Sequence, residues 1–190
     1  MKLERRASLR AAITLLAVLA LALPAAAKLI GENLLFEMPA GYKISREENN
    51  AKRWRREMVP AEQSADIWTT RIIVQVLHRR GDMAPAAYEA QVRANLLETC
   101  PSAEYHPIRD GFERGYRFSF WLLYCDLNTA TGSPEYTYFK ALQGREALYV
   151  IQKTFRRRLE RWQIPQVARL LFDAHLCDNR VSYQVCPNSR

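Results

Sequence analysis

Histidine is scarce in this chain. Only His78, His106 and His175 occur, and no two of them have the i, i+4 spacing of a helical metal site. The four cysteines contain no Cys-x-x-Cys, the close pair that zinc sites favour. No metal or cofactor is therefore expected. A serine nucleophile would need an elbow such as Gly-x-Ser-x-Gly, and the nearest approach, Gly132-Ser133-Pro134, is a turn sequence. The longest uncharged apolar run, Ala11 to Leu23, has 13 residues, short of the roughly 20 a spanning helix needs. Internal repeats, low-complexity tracts and nucleic-acid recognition motifs are all missing, so repeat architectures and nucleic-acid partners are set aside.

What is present begins with a leader. Lys2, Arg5, Arg6 and Arg10 precede the apolar run, and Pro24 then leads to Ala25-Ala26-Ala27, small residues that a signal peptidase accepts. The expectation is a signal peptide over residues 1–27, cleaved after Ala27, by general secretion rather than the twin-arginine route. A retained anchor is the alternative. Residues 28–190 are read as a single domain, secreted or periplasmic, with no transmembrane segment after cleavage. The whole chain carries 28 basic and 20 acidic residues, a net charge of +8. Four of those bases and one acid lie in the leader, leaving 24 against 19, or +5. That suits solubility and a weak attraction to anionic surfaces, and names no partner.

In an oxidising compartment an even number of cysteines implies disulfides. Cys100–Cys125 and Cys177–Cys186 are the favoured pairs, one tying a helix end to a strand and the other stapling the C-terminal tail. A cysteine nucleophile would need a free thiol that this arrangement does not leave.

The densest run of large apolar side chains lies between Gly115 and Phe155. Gly115–Cys125, Tyr136–Gln143 and Ala147–Phe155 are rich in aromatic and β-branched residues and predict an antiparallel meander. Shorter strands are predicted at Leu34–Met38 and Tyr42–Ile44, with a loop over Ser45–Lys52 and an edge strand over Arg53–Val59. Ile67–His78 reads as a strong strand with one apolar or neutral face. Pro85–Thr99 predicts a helix whose buried stripe is Tyr88, Val92, Leu96 and Thr99, widened by Ala90 and Leu97. Tyr105–Arg109 is a short strand interrupted by Pro107, and Asp110-Gly111 is taken as the hairpin turn into the meander. A long polar loop is expected over Asp126–Glu135. A last helix is expected over about Leu159–Leu176, kinked or restarted at Pro165, with His175 late in it and a polar tail after it. The fold class is α+β, an antiparallel sheet of about six to seven strands with two helices against it.

Phe36-Glu37-Met38-Pro39-Ala40-Gly41-Tyr42-Lys43-Ile44 is a strand, a Pro-x-Gly turn with an aromatic, and a second strand. Together with the element order and the final helix, it resembles the PsbP-like class of small exported or lumenal α+β domains. The resemblance implies a non-enzymatic role in binding or assembly, and it carries over no catalytic residue.

Two arginine groups stand beside tryptophans. Arg53, Arg55 and Arg56 flank Trp54, and Arg156, Arg157, Arg158 and Arg161 precede Trp162. Guanidinium and indole groups together bind phosphate, lipid headgroups or acidic polymers, or else simply solvate strand and helix ends. Loops on a rigid scaffold carry function. Asn128 in the polar loop, with Tyr136 beside it, therefore joins Arg156, Arg157, Arg158 and Trp162 as a candidate contact surface. The tyrosines have a structural alternative as cross-strand pairs. The expected function is a monomeric, non-enzymatic binding or assembly protein of the cell envelope, with an envelope protein or anionic surface as partner. Alternatives are a hydrolase of cell-wall or acidic polymer using Asp126, Glu135 or Glu146, and an inhibitor of a secreted enzyme with a disulfide-braced loop.

Overall fold

The computed structural model describes residues 29–187, and the signal-peptide expectation for residues 1–27 lies outside them. The elements are β1 (Glu32–Leu35), β2 (Tyr42–Asn49), β3 (Arg53–Pro60), β4 (Thr70–His78), α1 (Pro85–Thr99), β5 (Glu104–Glu113), β6 (Tyr116–Asn128), β7 (Ser133–Gln143), β8 (Ala147–Phe155), α2 (Ile164–Asp173) and β9 (His175–Asp178). Seven strands form one antiparallel sheet in the order β2-β3-β4-β8-β7-β6-β5, and β1 pairs with β9 in a second, two-stranded sheet. The fold is α+β.

Alternation along the strands sorts side chains onto two faces. On one, Trp121, Leu123, Phe139, Ala141, Leu148 and Val150 are buried together with Met83, and Tyr88, Val92 and Leu96 of α1 pack against them. On the other, Met58, Ile72, Val74, Phe118, Phe120, Leu142, Tyr149 and Ile151 meet Val167 and Leu171 of α2 and Leu176 of β9. The large aromatic and branched side chains that make these strands also supply both cores. Among the described residues, no helix is long and apolar enough to cross a membrane.

Several boundaries differ from the sequence expectations, each for a physical reason. The polar Ser45–Asn49 stretch is not a loop but the outer part of β2. Its charges pair across the ladder, Glu47 opposite Arg56 and Glu48 opposite Arg55, and opposite charges on facing strands are favourable. Asn50 then closes the turn by accepting at 2.9 Å from the backbone N–H groups of Lys52 and Arg53. This makes β2 the edge and moves β3 inside. Asp110-Gly111 is not a turn either. Both residues lie in β5, opposite Ser119 and Phe118, and the turn is Arg114-Gly115. Arg114 at φ 50° and Gly115 at φ 83° give the two positive φ values that a tight hairpin matched to strand twist requires.

The expected ten-residue loop shrinks to Thr129–Gly132. The last helix is shorter than predicted, because Pro165 sits in the first turn of α2, after a separate 3₁₀ turn at Arg161–Gln163. His175 is not helical. It begins β9, facing Leu35 of β1, and its Nδ1 lies 2.7 Å from the Asp173 carbonyl. Disulfides join Cys100 to Cys125, fixing the end of α1 to β6, and Cys177 to Cys186, closing the tail onto β9.

Candidate binding surfaces

The six binding residues proposed from sequence divide into three fates. Arg156 and Asn128 belong to the framework. The Arg156 guanidinium lies 4.0 Å from the ring centre of buried Trp68, which Arg71 also approaches at 4.3 Å. Arg71 reaches the buried carboxylate of Glu57 at 3.2 Å, and Arg55 bonds the same carboxylate. Asn128 is buried, donating to Glu135 at 3.2 Å and accepting from the Ala130 N–H at 3.0 Å, so its amide is spent holding the tight turn. Tyr136 is stacked on Tyr124 with ring centres 4.3 Å apart, the cross-strand pairing open to tyrosines here. Burial raises its hydroxyl pKa, Asp126 adds to that, and Arg158 opposes both. Arg157 and Arg158 are exposed, with Arg157 donating to Gln163 at 3.1 Å, and Trp162 is 67% exposed.

Of the carboxylates proposed for hydrolysis, Glu135 and Glu146 lie at opposite ends of β7. Glu135 is bound to Asn128 and Thr131 at the start of β7, while Glu146 pairs with Arg180 beyond its far end. No group of three His, Cys, Asp or Glu side chains gathers to hold a metal among the described residues.

A wide groove lies instead on the α2 face, near the end of the sheet where β1 crosses it. Its floor is Trp54 and Met58 of β3, Val74 and Val76 of β4 and Tyr149 of β8, with Phe36 and Met38 as one wall, and its volume is about 980 Å³. Arg56, His78, Arg79 and Glu146 stand at its margins. Glu32 fixes β1 there by accepting at 2.7 Å from the Arg145 N–H in the β7–β8 turn. The Trp54 indole donates at 3.0 Å to Glu47, which also accepts from Arg56 at 3.0 Å. Those bonds hold the Glu47 carboxyl below the usual range and orient the indole and guanidinium together.

A second pocket of about 580 Å³ opens between the start of β2 and α2, lined by Pro39, Tyr42, Phe155, Val167 and Leu170, with Lys153 beneath. Lys153 donates to the Tyr42 hydroxyl. Sequence reading passed over this lysine inside an apolar strand. The signal was the two-residue period, which places it on the same face as Tyr149, Ile151 and Phe155. Trp54 carried a signal of its own in the flanking arginines.

No family model and no curated protein sequence matches the chain. Among solved structures it is similar to the Saccharomyces cerevisiae Ran-binding protein Mog1p, at 13% identity and a TM-score of 0.42 over 74% of this chain and 84% of that one. A point mutant of protein Mog1 gives 14% and 0.43, covering 74% and 85%. LpqN, involved in cell envelope biogenesis of Mycobacterium tuberculosis, gives 14% and 0.47, covering 78% and 84%. At these identities and TM-scores nothing about activity or partners passes from those proteins to this one.

Proposed function

We propose that this chain is an exported, non-enzymatic binding protein of the cell envelope, and that the groove beneath β1 receives a segment of a protein partner. The groove itself carries the reading. It offers an indole, a phenyl ring and two methionines as an apolar bed, with cationic Arg56 and Arg79 beside it. Interfaces draw most of their energy from aromatic and arginine side chains set in such pockets, inside a polar rim. An apolar anchor next to an acidic residue is the partner chemistry that fits. Two disulfides and the leader expected over residues 1–27 support placement outside the cytoplasm. Arg157, Arg158 and Trp162 supply a second contact, favoured by the exposure of that indole.

The test is capture of partners from envelope extract by the wild-type protein and by Trp54→Ala and Arg56→Glu, each checked for an unchanged melting transition. Loss of a central tryptophan is expected to cost about 2 kcal/mol or more of binding, roughly thirtyfold. The double variant Arg157→Glu/Arg158→Glu is expected to weaken capture less. Full capture by the Trp54 and Arg56 variants would refute the groove as the contact.

A further inference from the structure

The pocket against α2 holds a group that the binding reading does not use. Lys153 stands between Ile72 of β4 and Tyr138 of β7, and only 6% of it is exposed. Its amine lies 4.3 Å from the Tyr42 ring centre and 5.2 Å from that of Phe155. Among the described residues no carboxylate lies within ion-pair distance of it. A buried ammonium without a counter-ion is unfavourable, and proteins pair such groups or neutralise them. Here neither a carboxylate nor open solvent serves the amine. A pocket does.

We propose that this pocket binds an amphiphilic organic carboxylate, its acid group paired with Lys153 and Tyr42 and its hydrocarbon part lying against Phe155, Val167 and Leu170. Lys153 and the Tyr42 hydroxyl, joined to each other by a hydrogen bond, match the two oxygens of a carboxylate, and Gln163, Gln166 and Arg169 add to the polar part of the lining. The apolar walls match the remainder of such a molecule, and the volume is that of a small-ligand site.

The charge state of the site gives the binding its pH dependence. Burial brings the Lys153 amine down to about 7. The hydroxyls facing it, Tyr42 and Tyr138, are both raised by burial, Tyr42 against an opposing hydrogen bond with Thr70 and with Glu62 adding to the rise, and stay protonated through the neutral range. Arg169 and Asp173 stand at the rim on α2, and Lys140, diagonal to Lys153 on β7, is turned away towards Glu113. An anion at the amine favours the ammonium, so binding above about pH 7 must take up a proton and weakens as pH rises.

The experiment is calorimetric titration of the folded protein with octanoate and, as the uncharged match, octanol, across roughly pH 6.5 to 8.5. Octanoate is expected to bind at least about tenfold more tightly than octanol at the acid end, and to lose about tenfold per pH unit above neutrality while octanol does not change. Lys153→Met is expected to abolish the preference for octanoate and spare octanol. Equal affinities, a pH-independent octanoate affinity, absence of octanoate binding, or a preference that survives in Lys153→Met would each overturn the proposal. Should that variant fail to fold, the wild-type pH series decides alone.

Discussion

Lys140 and Lys153 are diagonal neighbours on one face of the sheet, and the fold treats them in opposite ways. Lys140 pairs in the ladder with Ile151, and Lys153 with Tyr138. The Lys140 side chain is fully buried and fully served. Its amine donates to both Glu113 oxygens at 2.8 and 2.9 Å and to the Ala174 carbonyl at 2.8 Å, three acceptors for three protons. Burial lowers its pKa while Glu113 resists the shift. Lys153 has one neutral acceptor and two aromatic faces, and among the described residues no carboxylate pairs with it. One amine ties β7 to the β5–β6 hairpin and to the end of α2. Its neighbour ties nothing comparable and faces a cavity. A buried ion pair holds elements together, while an unpaired buried charge is a functional candidate.

The contrast breaks most visibly at Glu113. Glu113→Ala strands a buried ammonium, and the expected loss is about 3–5 kcal/mol in urea unfolding. A loss below about 1 kcal/mol would mean that Lys140 is not held as described. At the other lysine the sign reverses. Lys153→Met removes an uncompensated charge and is expected to stabilise the fold by on the order of a few kcal/mol near pH 6.

That gain depends on pH in a defined direction. The folded amine titrates near 7, below its unfolded value of about 10.4, so between those limits the unfolded chain holds the extra proton. Wild-type stability therefore rises with pH through that window, and the advantage of Lys153→Met shrinks as it does. Unfolding curves at the two ends of the window check both statements. The smallest effect is expected from Tyr42→Phe, about 1 kcal/mol for one hydrogen bond, with the Lys153 titration moved further down.

Strand identity was legible wherever apolar density was high. Ala147–Phe155 and Pro85–Thr99 keep the bounds that aromatic and β-branched density, helical spacing and proline placement predict. Polarity misled where charges pair with each other instead of with water, as in β2, whose glutamates face the arginines of β3. Asp110-Gly111 misled because Arg114-Gly115 serves the same turn chemistry four residues on, and pairing with Phe118 and Ser119 fixes the register there. β9 was hidden for a different reason. Four residues of His-Leu-Cys-Asp carry no strand signal until β1, more than 130 residues earlier, is beside them. The groove was half legible, since Trp54 and its arginines stood out while Phe36, Met38 and Tyr149 arrive only through tertiary packing. Neither lysine's partner was legible at all, because Glu113 and Tyr42 come from distant strands.

The most direct test is an NMR titration of the lysine side chains, following the carbon beside each amine from acid to alkaline pH. The Lys153 signal is expected to move with a midpoint near 7. A Lys153 midpoint near the ordinary lysine value of about 10.4 would show a solvated or paired amine and contradict the account.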